Sequence, residues 1–472
     1  MSSRDISTIY MMGIGGIAMG TLAAMLKERG FAVTGSDRNL YPPMSTNLQK
    51  LNIHIYQGYD KDNLRIANPD LVVIGNVIRR DNPEAQYTLE HGIPFISMPQ
   101  AIERFFLTAH DSLVVTGTHG KSTTASLLAW VLAHAQQAPS AFIGAFVKEW
   151  QSSYRLGDGK YMVIEGDEYD TAFFDKGPKF LHYRPSVGII TSIEYDHADI
   201  FPDYEAVLEA FRSFVRLFPK GGQLIVNADD ANCLALAKEC KGEVITYGRS
   251  READWRLLEV DYRPGEIGFR LQDPASRQHL MTTRLAGHHN LSNTLAVIAA
   301  AALAGVSMDG IQKAVLTFTG VTRRQDIIGE SKGILVIDDF AHHPTAVHET
   351  VAALRLHYPD RRLIAAFEPR TNSSRRKVFQ DAYARAFDDA HCVCIKQPSD
   401  MDKIDPAERL NTGELVRNIR RRKEQAHLFA NSEKLMNFLL DYCRAGDLVL
   451  CMSNGSFDSL PVKFFQALQN KR

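Results

Sequence analysis

Short apolar runs alternate with stretches of helical periodicity along most of the chain. Ile6 to Met12 and Phe31 to Gly35 have the composition of buried strands, Ile17 to Arg29 between them has helix periodicity, and Leu71-Val72-Val73-Ile74 follows as another strand. That rhythm is βαβ and predicts a parallel sheet over residues 6 to about 108. A second alternation starts at Leu113 and includes Tyr161-Met162-Val163-Ile164 and Val187-Gly188-Ile189-Ile190. A third starts at Gly320, with strands at Ile334 to Ile337, Leu363 to Phe367, Val393-Cys394-Ile395 and Leu448 to Cys451 and helical segments between them. The pattern predicts an α/β chain of three domains, 1–108, 109–320 and 321–472. Gln272 to Gln278, with Pro274 and polar neighbours, predicts a hairpin loop in the second domain. No low-complexity tract or short-period repeat interrupts this order, which excludes a solenoid.

Composition narrows the partners. With 472 residues and 45% hydrophobic content the chain can bury several cores. Its net charge of −1 provides no global positive field, so neither nucleic acid nor an anionic membrane is expected as a partner, and anionic ligands must be met by local arginines. Arg420-Arg421-Arg422-Lys423 is one such concentration; a solvated helix face accounts for it better than a phosphate site. Six cysteines, at 233, 240, 392, 394, 443 and 451, form no Cys-x-x-Cys pair and have no histidine at zinc spacing, so they are expected to be reduced and mostly buried. No signal-peptide pattern precedes Ile9 and no run of about 18 apolar residues occurs, so a cytoplasmic location is expected.

The most specific chemistry lies in Thr116-Gly117-Thr118-His119-Gly120-Lys121-Ser122-Thr123, between the apolar run ending at Val115 and the helical run from Ala125. Glycines let backbone N–H groups turn toward a phosphate, and the helix N-terminus adds partial positive charge. Lys121 can reach terminal phosphates and the Ser122 hydroxyl can sit on Mg²⁺, so the segment predicts an ATP cradle. The usual spacing would place a glycine where Val115 stands, which makes this a tighter variant. Gly13-Ile14-Gly15-Gly16 after the first strand, with Asp37 ending the second, has the form of a dinucleotide fingerprint. It suits NAD or a UDP-sugar diphosphate equally; an ATP cradle downstream has no use in a dehydrogenase, which favours the UDP-linked ligand. Glu165 ends a strand in Glu165-Gly166-Asp167-Glu168-Tyr169-Asp170 and is placed for Mg²⁺, or belongs to a solvated acidic loop. His197, in Asp196-His197, is a metal ligand, a proton acceptor or a structural histidine. Asn290 and Asn293 share one face at the start of an Ala-rich helix, suiting an adenine edge, with helix capping by Asn290 as the alternative. Arg323-Arg324-Gln325 marks the junction of the second and third domains, and Asp338-Asp339-Phe340-Ala341-His342-His343-Pro344 ends the third domain's first strand.

These motifs, in this order, resemble the Mur ligase family over nearly the whole chain. The resemblance implies an N-terminal Rossmann-like domain, a central P-loop ATPase-like domain and a C-terminal Rossmann-like domain. It implies ATP and Mg²⁺ as cofactors, with Gly117, Thr118, His119, Gly120, Lys121, Ser122, Thr123, Asn290, Asn293, Arg324 and Asp339 toward the nucleotide. Ser122, Glu165 and His197 are implied toward the metal, and Lys121, His197 and Arg324 in catalysis. UDP-N-acetylmuramate is implied at Gly13, Gly15, Gly16, Asp37 and Asn76. Phe367-Glu368-Pro369-Arg370-Thr371-Asn372-Ser373-Ser374-Arg375-Arg376 and Met452-Ser453-Asn454-Gly455-Ser456-Phe457 resemble family members of cell-wall recycling that add a tripeptide, rather than those that add free L-alanine. Arg370, Arg375, Arg376, Ser453 and Asn454 are implied toward that peptide, L-alanyl-γ-D-glutamyl-meso-diaminopimelate. Several sister ligases carry a carbamylated lysine downstream of the Asp-His pair where this chain, like the alanine-adding branch, lacks it and has Phe211-Arg212-Ser213, which leaves the second metal shell open. The implied reaction passes through an acyl phosphate, in a monomer or weak homo-oligomer. A dehydrogenase and a non-catalytic ATP-gated binding protein remain the competing classes.

Overall fold

The computed structural model describes residues 6–42, 44–198, 200–399 and 401–471. The chain groups into two units. Residues through Ile193, Glu205–Ala253 and Ala296–Ala314 make the first; Glu194–Tyr204, Asp254–Leu295 and the chain from Val315 onward make the second.

The first unit begins with a sheet whose spatial order is His54–Gln57, Ala32–Asp37, Thr8–Met12, Leu71–Ile74, Phe95–Ser97. Every neighbouring pair is parallel, as the βαβ rhythm predicts. The two central strands are almost wholly buried, with Tyr10, Met12, Val72 and Ile74 packed with Leu64 and Ile78. Chain order reverses between Thr8–Met12 and Leu71–Ile74, and open α/β sheets hold ligands at such a switch point. The same unit carries a second run of strands in the order Glu243–Gly248, Gln223–Asn227, Pro185–Ile190, Asp111–Thr116, Tyr161–Glu165, Ser140–Val147, Ser152–Arg155. Only the last pair is antiparallel. Asp111–Thr116 lies inside this sheet, with Leu113, Val114 and Val115 no more than 1% exposed. Two links tie the sheets. Thr21, on the helix Ile17–Glu28, hydrogen-bonds Ser153 hydroxyl to hydroxyl at 2.6 Å, and Tyr154 OH donates to Glu28.

The second unit holds an antiparallel meander, Trp255–Arg263, Glu266–Gln272 and Gln278–Thr283, with the expected hairpin loop between the last two. It also holds a sheet ordered Asp326–Ser331, Ile334–Asp339, Asp447–Met452, Arg362–Phe367, Cys392–Lys396, Ala426–Phe429. Successive residues serve opposite faces: Leu335, Ile337, Leu363, Ala365 and Phe367 enter one core, while Ile334, Val336, Ile364 and Ala366 enter another. Burial on both faces explains why these strands read as unbroken apolar runs. One expectation needs correction. Ile334–Asp339 is not the first strand here, because Asp326–Ser331 precedes it as an antiparallel edge. Its side chains are half-buried or exposed, so it lacks an apolar run, and its turn, Lys332-Gly333, has both residues at positive φ, the two-residue hairpin geometry.

Arg420, Arg421 and Arg422 are exposed in the last turn of the helix Thr412–Arg422, with Arg422 paired to Asp388. The six cysteines are free thiols; Cys233, Cys392, Cys394 and Cys451 are buried and Cys240 and Cys443 partly so. Among the described residues no helix is long and apolar enough to cross a membrane.

Candidate active site

The phosphate cradle joins the strand Asp111–Thr116 to the helix Lys121–His134. Gly117 has φ +131°, and a Cβ there would lie 2.1 Å from Thr191 Oγ1; Gly120 has φ +83°. Glycine alone takes both positions without strain. The end of the neighbouring strand fixes the loop: Thr118 N–H donates to Ser192 O at 2.9 Å, His119 N–H to Ser192 Oγ at 3.2 Å, and Thr191 Oγ1 to the carbonyls of Thr116 and His119. Gly120 supplies no side-chain cap, so the first turn of the helix keeps N–H groups for an anion.

Lys121 Nζ donates to Gly117 O at 2.6 Å and to Glu168 Oε2 at 3.0 Å. Burial pushes the ammonium's pKa down, but Glu168, Asp167 and Glu165 outweigh it and hold the group above its ordinary value. The lysine is therefore a fixed cation. Ser122 Oγ donates to Glu165 Oε1 at 2.9 Å, and Gly144 N–H donates to Glu165 Oε2 at 2.7 Å. Burial and neighbouring Asp167 raise the Glu165 carboxyl above the usual range. Burial also acts to raise Asp167, but Lys179, 2.8 Å away, and Lys121 bring it below its ordinary value. Glu165 and Ser122 thus lie together at the start of the helix. Two partners are invisible in sequence: Glu168, which sat unassigned in the acidic run, and Gly144, for which no signal existed.

At the N-terminal switch point, Gly13 and Ile14 donate their N–H groups to Ser36 O at 2.9 and 3.1 Å, and Gly15 N–H donates to Asp37 Oδ2 at 2.8 Å. A Cβ on Gly15 would approach that oxygen to 2.9 Å. Asp37 accordingly braces the glycine loop, and its other oxygen accepts from Asn39 N–H at 3.1 Å. Gly16 begins the helix Ile17–Glu28 without a side-chain cap. Asn76 is exposed next to Gly75, whose N–H donates to Met12 O at 3.1 Å, so Asn76 follows the strand end that adjoins the Gly13 loop. Below it Glu84 is fully buried and accepts from Tyr10 OH at 2.9 Å and Ser36 Oγ at 2.6 Å, a support not foreseen from sequence.

In the second unit, Asp196 is buried and accepts from His197 N–H at 2.7 Å, with His342 Nε2 at 3.9 Å. Burial works to raise its pKa; the imidazoles of His197, His342 and His343 outweigh burial and hold the carboxyl below its usual range. His343 Nε2 lies 3.1 Å from Tyr195 O, so the Asp196-His197 turn and the His342-His343 pair form one cluster. Asn290, Asn293 and Asp339 also gather. Asn290 Nδ2 donates to Ala286 O at 2.8 Å and Asn293 Nδ2 to Asn290 Oδ1 at 3.4 Å, so Asn290 sits inside the helix His288–Leu303 rather than capping it. Asp339 accepts from the N–H groups of Gln325 and Ala341, both at 2.7 Å. Its carboxyl is raised by burial and drawn back by Arg324, whose guanidinium lies 4.7 Å from the Phe340 ring centre. Arg323 donates to Asp338 at 3.3 Å and to Ser453 O at 2.6 Å.

The third constellation lies at the carboxyl ends of parallel strands. Glu368, directly after Arg362–Phe367, accepts from Ser453 Oγ at 2.6 Å and from Lys396 Nζ at 2.7 Å, and Arg370 packs so closely on Gly455 that a Cβ there would meet its guanidinium. Asn454 Oδ1 is buried with no hydrogen-bond donor among the described residues. Arg375 is 7% exposed and donates to Thr371 O, Ser399 O and Asn372 Oδ1, so its guanidinium holds the loop together. Arg376 is half-buried and paired with Glu408.

Three family models cover nearly all of this architecture. Residues 8–110 match the Mur ligase family catalytic domain, 115–301 the Mur ligase middle domain and 323–455 the Mur ligase glutamate ligase domain. The chain belongs to the Mur ligase family. It is similar to the UDP-N-acetylmuramate–L-alanyl-γ-D-glutamyl-meso-2,6-diaminoheptandioate ligase of Escherichia coli (strain K12), 37% identical over 98% of each protein. The UDP-N-acetylmuramate–L-alanine ligase of Acetivibrio thermocellus is 32% identical over 95% of this chain and 93% of that one. The crystal structure of a murein peptide ligase from Psychrobacter arcticus 273-4 superposes with a TM-score of 0.74 at 32% identity, covering 99% of each chain. As a Mur ligase the protein has a Rossmann-like N-terminal domain, a P-loop ATPase-like central domain and a Rossmann-like C-terminal domain. It is an ATP-dependent ligase that forms a carbon–nitrogen bond. In the segment downstream of Asp196-His197, Phe211 is fully buried and Arg212 is paired with Glu239 at 2.9 Å.

Proposed function

We propose that the protein joins the lactyl carboxyl of UDP-N-acetylmuramate to the alanine amine of L-alanyl-γ-D-glutamyl-meso-diaminopimelate, in peptidoglycan recycling. One observation carries the choice of acceptor. The two segments that separate peptide-adding from alanine-adding relatives meet in space, Glu368 on Ser453 and Arg370 on Gly455, at the strand ends where α/β sheets hold ligands. The 37% identity to the peptide ligase, against 32% to the alanine ligase, supports the same choice.

The muramoyl carboxylate attacks the γ-phosphorus of ATP and ADP leaves; the peptide's amine then attacks the acyl phosphate carbon and phosphate leaves. Negative charge grows on the phosphoryl oxygens in the first step, where Lys121 and the cradle N–H groups offer fixed positive partners. Ser122 and Glu165 are hard oxygen donors already within 2.9 Å of each other, a fit for Mg²⁺. When bound, that ion supplies charge neutralisation between phosphates. Asp196 holds the His197 backbone N–H and Asp339 attracts the Arg324 guanidinium, and in this reading His197 takes the amine's proton and Arg324 serves the nucleotide. We assign domains 1–108, 109–320 and 321–472, a division supported by the three family matches. With ATP and a nucleotide sugar as substrates, the reaction is cytoplasmic. The deciding experiment compares kcat/KM for the tripeptide and for free L-alanine with saturating ATP and UDP-N-acetylmuramate. A tripeptide preference of at least about 10²-fold is expected from the additional paired carboxylates; efficient use of alanine would replace this acceptor with the amino acid.

A further inference from the structure

Beside the Asp196-His197 turn, wholly within the second unit, lies a cavity of about 480 Å³. Tyr195, Pro202 and Val378 contribute apolar lining, and Arg376, Lys377 and Glu408 contribute charge. That volume is in the range of pockets that enclose small organic ligands. Arg376 is unevenly satisfied. One terminal nitrogen donates to Glu408, while its Nε is buried and has no acceptor among the described residues. A guanidinium pairs a carboxylate best through two parallel N–H groups, so with Glu408 on one terminal nitrogen and Nε idle the guanidinium that lines the cavity is not fully matched by Glu408. Glu408 itself is 60% exposed on the short turn Pro406–Glu408, and the backbones of Arg376 and Arg409 form a bridge that brings the turn alongside. It can withdraw into water at little cost.

We propose that this cavity receives the carboxylate-bearing tail of the acceptor peptide, and that Glu408 stands in for that carboxylate on Arg376 until the peptide arrives. The proposal rests on the tripeptide reading above. Ala198, two residues from Asp196, also lines the cavity, so an acceptor whose amine lies at the Asp196-His197 turn can extend its remaining residues directly into it. Free alanine is too short to do both. With Glu408 displaced, Arg376 and Lys377 leave a doubly cationic wall that matches the peptide's distal carboxylates. Glu408 then sets peptide affinity by competition and excludes acceptors without a carboxylate strong enough to replace it.

The test is steady-state kinetics with the tripeptide and with its analogue amidated at the distal carboxylates, for wild type, Arg376→Ala, Arg376→Lys and Glu408→Gln. For the acid peptide, Arg376→Ala is expected to raise KM about tenfold or more with kcat nearly constant, and Arg376→Lys to recover only part of the loss. Glu408→Gln, at an exposed position that the fold tolerates, is expected to lower KM about threefold by freeing the guanidinium. The amidated peptide should show neither change, and KM for ATP and for UDP-N-acetylmuramate should not move in any variant. A Glu408→Gln enzyme with unchanged or raised KM for the acid peptide overturns the proposal, as does an Arg376→Ala effect equal for both peptides. Rejection of the tripeptide by the wild type overturns the acceptor assignment itself, an outcome visible before any variant is made.

Discussion

Replacing Lys121 by methionine removes an ammonium that is held by carboxylates on one side and faces the cradle on the other. Its Nζ sits 3.0 Å from Glu168 Oε2, with the lysine side chain 11% exposed and the glutamate 2%. Removing one member of a buried pair typically costs about 3 to 5 kcal/mol, because the remaining charge is stranded. Here the stranded carboxylate would also lie beside Glu165 and Asp167, whose charges already act on Lys121. In a domain of this size that corresponds to a Tm lower by roughly 6 to 20 °C. The deficit should depend on pH. Without the lysine the Glu165 carboxyl, already raised by burial and by Asp167, rises further above its unfolded value, so the folded variant binds more protons than the unfolded chain. Its stability therefore falls as pH rises through the unfolded carboxylate range and up to the raised folded value, and the gap to wild type is small near pH 4 and wide at pH 8. Turnover should drop by about 10²-fold or more at any pH, from the lost partner of the phosphoryl oxygens. Thermal melts at several pH values, with ADP release measured on the same samples, make the check. A methionine variant with wild-type Tm at pH 8, or with near-normal turnover, would refute the account of the cradle.

Glu165→Ala and His197→Ala should each raise the Mg²⁺ concentration needed for half-maximal activity by about tenfold or more, read from Mg²⁺ titrations at saturating ATP; unchanged titrations would make both residues structural. Burial pushes the Asp338 carboxyl up to about 6 against the opposing pull of Arg323. Its raised folded value means that wild-type stability is lost as pH climbs from the ordinary aspartate range to about 6, so Asp338→Asn should gain Tm relative to wild type over that window and keep the gain at pH 7. Parallel melts at pH 4 and pH 7 decide this, and a difference that does not change with pH would contradict the burial argument.

Features encoded over a few neighbouring residues were legible in the sequence. The cradle needs a strand, two glycines and a helix start within one short segment, and all of these appear in the structure where the pattern placed them. The parallel N-terminal sheet follows from period and spacing in the same way. What could not be read depends on approach through space. Glu168 was one acid among several until the fold brought it to Lys121, and Gly144 has no local mark that it anchors Glu165. Arg375 and Arg376 are adjacent in sequence and identical in type, yet one is absorbed by Thr371, Asn372 and Ser399 and the other borders a cavity. The edge strand Asp326–Ser331 was missed because a strand with neither face fully buried has no apolar run to announce it.

The link through Gly144 has a mechanical meaning. Glu165 is held by a backbone N–H of the strand Ser140–Val147, that strand pairs with Ser152–Arg155, and Ser153 is bonded to Thr21 on the helix that starts at the Gly13 to Gly16 loop. A continuous splint of backbone and short hydrogen bonds therefore runs from the proposed metal carboxylate to the proposed sugar-nucleotide loop. Its length is set by strand and helix rise, which change little with temperature or solvent. The separation of Glu165 from the Gly13 to Gly16 loop is thus gauged by the protein as a fixed ruler, and loss of the Thr21–Ser153 bond would loosen the ruler without touching either end.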